Sequence, residues 1–74
     1  MNTFDENEVI EHCVIGQDVL WSNTGLGMDP ATFDALYGRL EVLEALGRIR
    51  ITDYDHESYT GQRFFTRVRF QRLQ

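Results

Sequence analysis

Leu40, Leu43 and Leu46 recur at helical spacing up to Gly47, and Ile49 and Ile51 then recur at strand spacing. This change of period within "DPATFDALYGRLEVLEALGRIRI" limits the possible folds more than any other stretch of the chain. Apolar residues on helical spacing line one face of a helix, and apolar residues at alternate positions line one face of a strand. Glycine is the favoured residue for closing a helix in the left-handed conformation. Upstream, Asp29 is a good N-cap, and Pro30 sits where a missing N–H leaves nothing unpaired. The spacing predicts a helix over 30–46 with Phe33, Leu36, Tyr37, Leu40, Leu43 and Leu46 on one face. Gly38 lies inside it at a cost of roughly 1 kcal/mol relative to alanine. It reads either as a neutral surface position or as a point of close approach.

Past Gly47, alternation points Ile49 and Ile51 one way and Arg48, Arg50, Thr52 and Tyr54 the other. The polar "DHESYTGQ" is too long for the tightest hairpin turn. On the return strand Phe64, Thr66, Val68 and Phe70 fall with the isoleucines, and Phe65, Arg67, Arg69 and Gln71 fall opposite. A two-stranded hairpin over 48–54 and 63–71 is expected. Nearer the start, Thr3 and Glu6 fit a capping box opening a helix over 4–15, with Phe4, Val9, Ile10, Cys13 and Val14 as its apolar positions and Gly16 as its stop. Asp18 then caps a short second helix over 18–24 holding Val19, Leu20 and Trp21, before the turn-forming "SNTGLG".

The 74 residues make one domain, 1–74, with a modest core. A chain this short buries only about 60% of the surface its unfolded form exposes, and self-association is one way to supplement its stability. The 42% hydrophobic content and five phenylalanines argue for a folded globule. The single Cys13 cannot form an internal disulfide, so a reducing cytoplasm is the natural setting. No apolar run approaches the about 18 residues of a membrane span, and no basic-then-apolar leader opens the chain. The net charge is −5, unevenly spread. Residues 1–46 hold nine acids against Arg39 alone, whereas residues 47–74 hold six arginines against Asp53, Asp55 and Glu57.

The order helix, helix, turn, helix, hairpin resembles the winged helix-turn-helix superfamily over about residues 4–72. The residues behind the likeness are "DVLWSNTGLGMDPATFDALYGRLEVLEALGRIRI" and "RFFTRVRF". Leu40, Leu43, Glu44, Gly47 and Ile49 stand where that superfamily ends its third helix and starts its wing. The resemblance implies an α+β winged-helix domain of three helices followed by a two-stranded wing. It also implies a DNA-reading surface at Thr32, Asp34, Ala35, Gly38 and Arg39, with the wing tip at His56 through Gln62. Asp29, Asp34, Glu41, Asp55 and Glu57 make that surface acidic. Only Arg39 and Arg63 are positioned to meet phosphates there, although phosphate contacts supply most of the affinity for DNA. The alternative function is therefore a DNA-binding transcriptional regulator using Thr32, Ala35, Arg39 and Arg63.

The leading expectation is a non-catalytic regulatory module acting through protein–protein contact or homodimerisation. Alternation gathers Arg48, Arg50, Arg67 and Arg69 on one hairpin face beside Tyr54 and Phe65. Arginine and aromatic residues are common interface anchors. The partner is an acidic protein segment or a homodimer mate. The competing reading is that the acidic first helix, its own or a twofold mate's, neutralises the arginines. His12 and Cys13 are neighbours whose side chains diverge on a helix, and His56 is alone in a loop, so no metal site is expected. Cys13 and Trp21 read as core. Asp53, Asp55, His56 and Glu57 read as a solvated turn, with no nucleophile–base pair, phosphate loop or cofactor motif anywhere in the chain.

Overall fold

The computed structural model describes residues 4–58 and 61–74. In chain order it contains α1 (Glu6–Glu11), β1 (Asp18–Ser22), α2 (Pro30–Ala45), β2 (Ile49–His56) and β3 (Phe65–Arg72). The three strands form one antiparallel sheet in the order β1-β3-β2. Helix α2 packs across β2 and β3 on one face of that sheet.

Helix α2 follows its sequence signals closely. The Asp29 carboxylate accepts the Thr32 N–H at 3.4 Å and also the Thr32 hydroxyl, and Pro30 begins the first turn. The helix closes on Gly47 at φ 77°. Gly47 N–H donates to the Glu44 carbonyl at 2.9 Å, and Arg48 N–H to that of Leu43 at 3.0 Å. These two bonds form a Schellman motif, which satisfies carbonyls left over at the helix end. Phe33, Leu36, Tyr37, Leu40 and Leu43 are buried from this helix, and Ile49, Val68 and Phe70 meet them from the sheet. Leu46 is exposed. A Cβ at Gly38 would meet nothing within 4 Å, so that glycine is a surface position and not a point of close approach.

The expected three helices and two-stranded wing are replaced by two helices and a three-stranded sheet. Residues Asp18–Ser22, read as a helix over 18–24, form strand β1. Trp21 is buried and Val19 packs on the core, whereas Leu20 between them is 54% exposed. That alternation has strand period, and a short apolar run of this kind cannot be told from a helix by pattern alone. Pairing with β3 decides it, through the register Val19↔Phe70 and Trp21↔Val68. Trp21 meets Phe4 and Phe70 edge-on, at centroid distances of 5.1 and 4.9 Å.

Helix α1 is also shorter than the expected 4–15. Asp5 caps it, its carboxylate accepting the N–H groups of Asn7 and Glu8 at 3.1 and 3.2 Å. Thr3, the expected cap, lies outside the described residues. Val14 and Ile15, beyond the helix, are exposed, and Gly16 turns the chain at φ 86°. With Asp5 as the cap, Glu6 is the first helical residue. It is buried and accepts Arg39 Nε of α2 at 2.7 Å, fastening α1 to the longer helix.

Candidate functional site: the open face of the sheet

The β2–β3 ladder has two irregularities. Ile51 pairs with Phe70 and Asp53 with Arg69, leaving Thr52 as an extra residue in β2. Asp55 pairs with Arg67 and His56 with Phe65, leaving Thr66 as an extra residue in β3. Each bulge resets which face the following side chains take. Past Thr52, Tyr54 sits opposite core residue Val68 and so faces the helix, while Asp53 and Asp55 join the arginines. Thr66 likewise returns Phe65 to the helix side. The expected grouping of Tyr54 and Phe65 with the arginines is therefore corrected.

The face away from α2 consists of three rows running from β1 through β3 to β2: Asp18–Gln71–Arg50, Leu20–Arg69–Asp53 and Ser22–Arg67–Asp55. Three arginines meet three aspartates there, so the face is amphoteric and not simply basic. Arg67 is held from both sides of its guanidinium, Nε to Asp55 at 2.6 Å and Nη2 to Asp53 at 3.0 Å. The hydrogen bond from Arg67 is the largest cause holding the Asp53 carboxyl below its usual range, and the two carboxylates push the Arg67 pKa up in return. Arg50 and Arg69 close no ion pair among the described residues, although Asp53 stands opposite Arg69. Leu20 is exposed beside Arg69.

Within the chain, the acids that meet Arg67 thus come from the neighbouring strand and not from its own first helix. The one link from an arginine of the expected face to α1 is Arg48 to Glu11, at 3.9 Å with both side chains well exposed. Arg48 itself precedes β2 and belongs to the Schellman turn.

On the helix side, Tyr37 stacks on Phe65 with centroids 3.8 Å apart and planes 8° from parallel. Tyr54 meets both rings edge-on, at 6.0 and 5.4 Å, and His56 lies 5.7 Å from Phe65. Burial, followed by the negative charge of Glu41, pushes the Tyr37 phenol up to about 12. The Asp34 carboxylate accepts the Phe65 N–H at 3.0 Å, locking the strand under the helix.

Of the alternative DNA-reading residues, two have partners within the fold and two are exposed. Thr32 bonds Asp29 at the helix start, Ala35 is exposed on α2, and Arg39 is paired with Glu6. Arg63 is exposed in the loop before β3, at φ 57°. His56 lies in β2, not in a wing tip, and Tyr59 and Thr60 of that tip are outside the described residues. Glu57, read as part of a solvated turn, is buried. Its carboxylate accepts the Phe64 N–H at 3.3 Å, and its own N–H reaches the Phe64 carbonyl at 2.9 Å.

Sequence reasoning also missed Arg72. Its guanidinium donates to the carbonyls of Glu11 and Cys13 at 2.8 and 2.6 Å, tying the end of α1 to β3. Nothing in the pattern distinguishes that arginine from its neighbours. Cys13 is half-buried and its thiol donates to the Val9 carbonyl at 3.4 Å. Among the described residues no three His, Cys, Asp or Glu side chains converge for a metal, and no helix is long and apolar enough to cross a membrane. No known protein family, curated protein or solved structure matches this chain.

Proposed function

We propose that the chain is a non-catalytic protein-interaction module of the cytoplasm that docks a partner on the open face of its sheet. The observation behind this reading is Leu20, 54% exposed on that face beside Arg69, with Arg50 on the adjacent row and neither arginine in an ion pair among the described residues. An apolar side chain with one available guanidinium beside it and a second two strands away suits a protein segment with a carboxylate next to an aliphatic or aromatic residue, since arginine recognises carboxylates through paired donors. Arg67 is occupied by Asp53 and Asp55, so it shapes the face and is not the anchor. The acids Asp34, Glu41 and Glu44 on α2 weigh against a polyanion on the helix side.

Selection of random displayed peptides on the purified chain tests the proposal. Enriched peptides are expected to place Asp or Glu beside an apolar residue and to lose at least about tenfold in affinity to the Arg50→Glu/Arg69→Glu variant, a loss of about 1.4 kcal/mol. Duplex DNA retained at physiological salt, by the chain and equally by this variant, would sink the proposal.

A further inference from the structure

The sheet has two outer edges, and they differ. Along β2, Ile51 N–H is taken by the Glu44 carboxylate at 2.8 Å, and Tyr54 N–H by the Asp53 carboxylate at 2.9 Å. The Thr52 bulge interrupts the same edge. Carboxylates and a bulge are the devices by which a sheet blocks pairing with another chain.

Strand β1 has no such protection at its middle. One rung beyond it, Asn23 N–H donates to the Thr66 carbonyl at 2.9 Å. Because antiparallel rungs alternate, this bond directs the backbone of Val19 and Trp21 toward β3 and that of Asp18, Leu20 and Ser22 outward. The Ser22 carbonyl accepts Leu26 N–H at 3.0 Å, but among the described residues nothing meets the outward N–H and C=O of Leu20. The exposed Leu20 side chain lies on this same open stretch.

We infer that β1 pairs edge to edge with β1 of a second copy, antiparallel about a twofold axis at Leu20, joining two sheets into one of six strands. The register is self-complementary. Leu20 meets Leu20 on the open face, and Asp18 meets Ser22 at each end, so no like charges oppose each other. Val19 meets Trp21 on the helix side. A twofold arrangement of this kind closes on itself and does not propagate into a fibre. A heterologous acidic segment fits the edge less well, because Asp18 repels it. The contact between two five-residue strands is small, so the dimer is reversible. Its strand order places the two copies of Arg69 three strand spacings apart, about 14 Å. The pairing uses the backbone edge of β1 and shares only the Leu20 side chain with the proposed peptide face, and it requires no peptide.

Sedimentation of the purified chain over a range of concentrations is the test. The mass is expected to rise from 8.7 kDa toward twice that value. Two copies of net charge −5 repel, so association should strengthen as salt rises from about 0.02 to 0.3 M, the opposite of what binding of an acidic peptide to arginines would show. Leu20→Pro removes an N–H that the fold itself does not use, and Leu20→Lys places a charge at the axis. Each should weaken dimerisation at least about tenfold, and the lysine variant serves if the proline variant fails to fold. Exchange of the Leu20 amide should slow with concentration while that of Ile49 does not. A mass fixed at 8.7 kDa throughout, or a dimer that survives both substitutions with Leu20 exchange unchanged, overturns the inference.

Discussion

Arg67 and Asp55 face each other across the β2–β3 ladder at 2.6 Å, a pairing that exists only because Thr52 is an extra residue in β2. Without that extra residue in the count, simple alternation sends Asp53 and Asp55 to the core side and leaves the arginines unopposed. The pairing turns a supposed basic face into a mixed one and shifts the available guanidinium groups to Arg50 and Arg69.

Asp53 gives this arrangement a pH signature. Its carboxyl is held low chiefly by the hydrogen bond from Arg67. A depressed folded-state pKa adds stability that is present above the unfolded value, about 3.9, and is lost as pH falls through the folded value. Carboxyl NMR should place the Asp53 midpoint below about 3.9, and Arg67→Met should raise it. A midpoint indifferent to Arg67 would remove this account of the face.

Tyr37 acts at the other end of the scale. Its phenol is pushed up to about 12, with burial the leading cause. A raised pKa contributes stability that is fully present below the unfolded value, about 10, and is lost as pH rises through the folded value. Unfolding free energies from urea melts should fall between about pH 10 and 12, by on the order of 2 kcal/mol in total. Tyr37→Phe should flatten that decline, and an equally steep decline in the variant would show that other groups cause it.

Gly38 and Gly47 should respond to alanine in opposite directions. Nothing lies within 4 Å of a Cβ at Gly38, so Gly38→Ala should stabilise the chain by about 0.5–1 kcal/mol. Gly47 sits at φ 77°, and Gly47→Ala should cost about 1–2 kcal/mol. Thermal or urea melts of the two variants provide the comparison, and a shift of the same sign for both would contradict it.

Arg39 belongs to the stability of the fold. Its partner Glu6 is 7% exposed, so Arg39→Ala leaves a mostly buried carboxylate without its donor. A loss of about 1–3 kcal/mol is expected in urea unfolding. The double variant Arg39→Ala/Glu6→Gln should recover part of it, and no recovery would argue that Arg39 acts through packing of its stem alone.

Much of α2 was legible in the sequence because its start, stop and apolar face all agree: Asp29 and Pro30, Gly47, and the row from Phe33 to Leu43. Although β2 runs on to His56 beyond the expected 54 and β3 begins at Phe65 and not at 63, the hairpin was legible from its alternation. Strand β1 was not, because Val19, Leu20 and Trp21 are three apolar residues in succession, and only the partner strand reveals that Leu20 faces out. Of the candidate face, Arg50, Arg67 and Arg69 were correctly gathered, while Tyr54 and Phe65 were placed on the wrong side. Thr52 and Thr66 give no local signal that they will be skipped in the ladder. Of the acids that oppose Arg67, Asp53 lies within the expected strand over 48–54 but on its core side by simple alternation, and Asp55 opens the expected loop "DHESYTGQ".

The paired bulges separate two ways of counting along the hairpin: by residues and by rungs. Outside the two bulges the partners' numbers add to the same total, as in Ile49↔Arg72 before Thr52 and His56↔Phe65 on the loop side of Thr66, so one extra residue cancels the other. Only the stretch between them, Asp53 to Asp55 against Arg69 to Arg67, runs out of step. Within that short interval the chain writes its charge pattern in a different phase from the rest of the sheet. A change of length there alters which side chains meet the world.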